Sequence, residues 1–188
     1  MLDWLKKIGK DYPEFWKNYL VQFEMQTERK VALYIETTGI NPAKDKIISI
    51  GAIAIEKNQI RIDNCLEIEL NKAEILEGKD FSYQEIQAIE SLINFIGNAT
   101  LVGHRIHYDI QIINEYLHKL QSGRIKNNLL DVEVMHGRII DQNAKQFSLT
   151  ELLSIYKIDS PHIPTSANMA FSIALLFLKL KSRLKLTN

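Results

Sequence analysis

The chain has 188 residues, 46% of them hydrophobic, with 23 basic against 23 acidic side chains and a formal net charge of zero. That composition is ample for one domain with a full core and excludes a disordered chain. Neutrality argues against tight, sequence-independent adhesion to nucleic acid, which a basic surplus would bring. The single cysteine, Cys65, rules out an internal disulfide and fits a reducing cytoplasm. Asp3, Lys6, Lys7, Lys10 and Asp11 interrupt any apolar run at the start, so no signal peptide is expected, and no stretch approaches the ~20 apolar residues of a membrane span.

Residues 1–28 read as a helical appendage to a body at 29–188. Asp11 is placed to cap a helix with Pro13 in its first turn, and Phe15, Trp16, Tyr19, Leu20 and Phe23 then recur on one face. Such a stripe either packs on the domain's own sheet, the preferred reading, or docks a protein partner. Lys30–Glu36 is a predicted strand. Asn41-Pro42 opens a turn that exposes Asp45 and Lys46. Ile47–Ile55 is a second strand with Gly51 inside it, Asn58 marks a tight turn, and Ile60–Leu70 alternates as a third strand. Short connections make these three an antiparallel meander.

Ser82 and Glu85 form a capping box that starts a helix through Ile96, with Gly97 as its stop. Thr100–Val102 is a short buried strand, Tyr108–Leu120 a helix, Leu129 and Leu130 a fifth strand, and Val132–Ile139 a further helix. Ser148 and Glu151 repeat the capping box before a helix through Tyr156. The last helix runs from about Ser166 to Leu184, its apolar run Ile173–Leu178 followed by Lys179, Lys181 and Arg183, cations that suit a helix C-terminus. A meander followed by alternating helices and strands predicts an α/β fold with a mixed five-stranded sheet flanked by helices.

Three segments hold the residues with chemistry. Val31–Gly39 ends Tyr34-Ile-Glu36-Thr37-Thr38-Gly39, and the strand period of two puts Tyr34 and Glu36 on one face. Leu101–Asp109 reads Leu-Val-Gly103-His104-Arg105-Ile-His107-Tyr108-Asp109. The third segment runs from His162 and Pro164 through Met169 and Ala170 into Leu176-Phe-Leu-Lys-Leu180. Read alone, Glu36 is a solvated carboxylate at a strand end, Asp109 a helix-decorating acid and His107 a surface residue.

Together these segments resemble the three motifs of the DnaQ-like (DEDD) 3′–5′ exonuclease superfamily, whose fold is ribonuclease-H-like and which includes proofreading subunits of bacterial replicative polymerases. The resemblance covers roughly residues 29 to 183. It places Glu36 and Asp109 at catalytic, metal-binding positions, and Thr37, Thr38, Gly39, His104 and Tyr108 at the substrate-binding ones. Its first acid falls at Tyr34, its general-base histidine at Pro164 and its last acid at Met169, with His162 two residues off the expected place. The His-Gly-Ile-type stretch of active relatives is missing between Leu70 and Ser82.

In that family four carboxylates hold two Mg²⁺ or Mn²⁺ ions, which stabilise the attacking and leaving oxygens of a phosphodiester. Two dications 4 Å apart repel by roughly 17 kcal/mol at an effective dielectric near 20. Glu36 and Asp109 supply half the family's compensating charge, Met169 is a poor ligand for a hard cation, and Tyr34 is neutral near pH 7. The resemblance therefore implies an exonuclease fold with a degraded metal site and no metal normally bound, acting as a binding or scaffold module in nucleic-acid metabolism. The alternative is an active 3′–5′ exonuclease on single-stranded DNA or RNA that recruits Asp131 and Glu133, for both of which a structural role is the preferred reading. A third reading keeps a groove for a single-stranded 3′ end without hydrolysis.

Overall fold

The computed structural model describes residues 12–71, 82–141 and 146–185. The expected cap at Asp11 and most of the segment between Leu70 and Ser82 lie outside these residues. The meander forms as expected: β1 (Lys30–Thr37) pairs antiparallel with β2 (Ile47–Glu56), which pairs antiparallel with β3 (Gln59–Glu69). On the other edge of β1, β4 (Thr100–Gly103) and β5 (Leu129–Asp131) add in parallel, giving the order β3-β2-β1-β4-β5. β2 is buried along most of its length on both faces, so the alternation that marks edge strand β3 is absent there.

Helices cover both faces. Val31, Leu33 and Ile35 of β1 point into a core shared with α1 (Glu14–Gln22), α2 (Tyr83–Ile96) and α3 (Ile106–Lys119). Ala32 and Tyr34 point the other way, toward α4 (Val132–Ile140), α5 (Leu149–Ile155) and α6 (Ser166–Arg183). Both capping boxes are present, at Ser82/Glu85 and Ser148/Glu151, each closing two otherwise unpaired helix N–H groups. α3 starts two residues before the predicted helix, because Arg105 takes a left-handed conformation (φ 52°) that turns the chain sharply out of β4.

The aromatic stripe is buried in the domain's own core, which corrects the alternative of a partner docking through it. Trp16 is 1% and Tyr19 0% exposed, with Phe15 and Leu20 also buried. The Tyr19 hydroxyl donates to Asn127 Oδ1 at 2.7 Å and accepts from the Lys126 N–H at 2.8 Å. Trp16 stacks on Tyr19 at 4.5 Å and lies against Gly123, where a Cβ would come within 2.9 Å of the indole. The helix packs on α2 and on the segment before β5, in one core with Val31, Leu33 and Leu101 of the sheet. Pro13 occupies its N-cap.

Candidate active site

The site lies where the C-terminal end of β1 meets the first turns of α3 and α6. α6 reaches it by crossing β2 at Gly51, where a Cβ would overlap the Ser166 carbonyl and the Ala167 nitrogen. Only a residue without a side chain lets that helix approach so closely. Thr165 caps α6 by accepting from the Asn168 N–H. Beside the crossing, Ser49 donates to Glu36 Oε2 at 3.0 Å, and its oxygen lies 2.6 Å from the buried Ser166 hydroxyl. Each hydroxyl has one proton, so Ser166 donates to Ser49 and Ser49 to Glu36. Glu36, expected as a catalytic remnant, thereby ends a chain of hydrogen bonds that ties α6 to the sheet.

The Thr-Thr-Gly turn is held mainly from within. Thr37 Oγ1 donates to the Gly39 carbonyl at 2.6 Å. Thr38 Oγ1 donates to Asp45 Oδ1 at 2.9 Å, and the Asn41 N–H donates to Asp45 Oδ2 at 2.6 Å. A Cβ at Gly39 would lie 2.8 Å from both Asp45 oxygens, which gives the glycine a local packing reason. Asp45 is thus the centre of the turn rather than a free surface acid.

Asp131 and Glu133, the two expected recruits for a living site, have structural partners. Asp131 accepts from the Glu133 N–H at 2.8 Å and from the Ile106 N–H at 3.1 Å, capping α4 and α3 with one carboxylate. Glu133 takes Arg105 in a forked pair at 2.9 and 3.2 Å and accepts from the Phe147 N–H at 2.6 Å. A ring nitrogen of His104 lies 2.8 Å from the Phe147 carbonyl. Arg105, where the family has asparagine, therefore anchors the chain that follows α4.

Asp109 stands between two concavities. One, of about 290 Å³, is lined by Asp109 together with Tyr34, His104, Leu149, Thr150 and Met169. The other is a small cleft formed by Asp109, Thr37, Gly39, Ile40, Pro42 and Tyr108. The structure therefore gathers Tyr34, Met169, His104 and Asp109 at one point, and Thr37, Gly39 and Tyr108 beside it. Thr38 faces Asp45 instead. Pro164 and His162 are exposed in the segment ahead of α6 and line neither concavity; His107 is exposed on α3. Burial, then the charge of Asp131, raises the Asp109 carboxyl well above the usual carboxylate range. Burial, then Glu36 and Asp109, raises the Tyr34 phenol, so it stays neutral near pH 7.

These donors do not fit two hard dications. Around the larger cavity stand a single carboxyl, a neutral phenol, a thioether and an imidazole engaged with a carbonyl. Ser49, Ser166, Asp45 and the double cap at Asp131 carry no motif that sequence reading would find.

The sheet order, with helices on both faces, defines a ribonuclease-H-like exonuclease fold. The E. coli exonuclease I–single-stranded DNA complex in its zinc-bound form superposes with a TM-score of 0.64 at 12% identity, over 85% of this chain and 42% of that one. No family model matches the chain. The 3′-5′ exonuclease DinG of Bacillus subtilis (strain 168) is 32% identical over 174 residues, 86% of this chain but 18% of that protein. DNA polymerase III subunit epsilon of Buchnera aphidicola subsp. Baizongia pistaciae (strain Bp) is 26% identical over 156 residues, 72% of this chain and 62% of that subunit. The chain belongs to the DnaQ-like 3′–5′ exonuclease superfamily. It spans under a fifth of the DinG relative and under two thirds of the epsilon subunit.

Proposed function

We propose that this domain has left two-metal phosphodiester hydrolysis and serves as a binding or scaffold module in nucleic-acid metabolism, in the cytoplasm. One observation carries the reading. Tyr34 and Met169, at the positions where the family has acids, share a single cavity with Asp109. The replaced groups meet at the former metal centre, so their losses compound: two carboxylates go and a bulky phenol enters the same space. The engagement of Glu36 with Ser49, and of Asp131 and Glu133 with backbone N–H groups, supports it further, because the acids expected to compensate already have other work.

A second reading rests on the small cleft. Tyr108 is 55% and Ile40 88% exposed at its rim, and a free aromatic face is what a terminal base stacks on. Single-stranded DNA is bound by E. coli exonuclease I, and the cleft is where this chain would hold a 3′ end without cutting it.

Incubation with a 3′-labelled single-stranded oligonucleotide in Mn²⁺ is the decisive assay. The native chain and its Glu36→Ala/Asp109→Ala variant are both expected to leave the label in place. Release of nucleotides by the native chain alone would establish the active exonuclease instead.

A further inference from the structure

We propose that the groove between the C-terminal end of α5 and the outer face of α6 is a docking site for a short acidic segment of a partner protein that carries a large apolar side chain. This goes beyond the reading of the Asp109 site and does not depend on it. The groove is a separate place: Leu178 follows Met169 by nine residues, roughly 13 Å along α6.

Its chemistry has two parts. The floor is aliphatic, made by Leu175 and Leu178 of α6 and by Ile155, which is 46% exposed. The rim is cationic, made by Lys157, Lys179 and Arg183, and no lining residue is acidic. None of the three cations has a carboxylate partner within ion-pair distance among the described residues. Zero net charge makes this concentration of unneutralised positive charge a local feature and not a consequence of composition. Structure fixes the charges in place: Lys179 Nζ donates to the Tyr156 carbonyl at 2.7 Å, closing the end of α5, and Arg183 lies over the Tyr156 ring at 4.6 Å.

The same geometry favours a peptide over a nucleic-acid strand. Single strands are held by free aromatic faces as well as by charge. Tyr156, the aromatic residue of the groove, is 3% exposed and covered by Arg183, so a base has no face to stack on. An aliphatic floor accepts a leucine, isoleucine or phenylalanine side chain, and the cationic rim accepts the carboxylates beside it. It also replaces α1, whose aromatic face is buried, as the surface on which a protein partner meets this chain.

The test uses a displayed library of random dodecapeptides, selected on the whole chain with the Lys157→Glu/Arg183→Glu variant as counter-selection. Enriched peptides are expected to combine Asp or Glu with a large apolar residue. In fluorescence anisotropy their binding should weaken as salt rises and fall at least about tenfold in the charge-reversed variant and in Ile155→Asp. Amide shifts should map to Ile155, Leu175 and Leu178. Unchanged thermal melting of both variants separates loss of binding from loss of fold. Failure to enrich acidic peptides that need the groove would overturn the proposal. So would equal binding after the apolar residue is changed to Ser, or tighter binding of labelled dT12 that the same variants abolish.

Discussion

Ser49 and Ser166 meet hydroxyl to hydroxyl at 2.6 Å across the seam between β2 and the first turn of α6, and Ser49 passes the hydrogen bond on to Glu36. The Glu36 carboxylate is the acceptor at which this polar chain arrives. Glu36→Ala is expected to lower stability by about 1–3 kcal/mol, because it leaves the Ser49 hydroxyl without its acceptor, while Glu36→Gln keeps an oxygen there and costs less. Urea midpoints of the three proteins decide it. Equal or greater stability of Glu36→Ala would mean that the acid is a dispensable relic.

The same seam depends on Gly51. Adding a methyl group there drives it into the Ser166 backbone, which belongs to an 18-residue helix and has no flexible end to yield. Gly51→Ala should cost about 2 kcal/mol or more, or prevent folding, whereas at Gly39 the nearest atoms are the end of the Asp45 side chain, which can move, so Gly39→Ala should cost less. Thermal melting of the pair gives the comparison.

Asp109 should make stability fall as pH rises. Its folded-state carboxyl holds a proton more tightly than the unfolded chain does, because burial and Asp131 disfavour the anion. Unfolding therefore releases a proton between the ordinary carboxylate range near 4 and the raised folded value, and rising pH favours unfolding through that window. Below the window the contribution is fully present. Asp109→Asn should flatten this slope in urea titrations from pH 4.5 to 8; an unchanged slope would show that Asp109 is not its source.

Rebuilding the acids tests the metal reading without an activity assay. Millimolar Mn²⁺ should leave the melting temperature of the native chain unchanged. Tyr34→Asp/Met169→Asp adds acids beside Asp109, so the metal-free variant should melt about 2–6 °C lower, from roughly 1–2 kcal/mol of repulsion and lost packing. Mn²⁺ should then raise its melting temperature, because an ion that binds only the folded state stabilises it. A rise in the native chain of similar size would count against a degraded site.

Much of this was legible in advance because it is local. Both capping boxes are contiguous patterns, and each caps its helix as its spacing implied, while Glu36-Thr37-Thr38-Gly39 closes β1 and the Gly103-to-Asp109 segment leads from β4 into α3. The aromatic stripe of α1 was equally plain as a stripe, but its surroundings were not: helical spacing says that a face is apolar and leaves open what covers it. Asp131 and Glu133 show the converse: the preferred structural role holds, but its partners, the N–H groups of Ile106, Glu133 and Phe147, come largely from elsewhere in the chain.

The sequence by itself determined the order of elements, the family and the identity of the substituted positions, because these rest on periodicity and motif, which are properties of neighbours along the chain. Only the tertiary structure decided that Tyr34 and Met169 share one cavity with Asp109, that Glu36 serves Ser49, and that Lys157, Lys179 and Arg183 rim a groove. Those relationships join residues far apart in sequence, and at the seam beside Glu36 they rest on Gly51, which lets the start of α6 lie directly on β2, a closeness that no local pattern encodes.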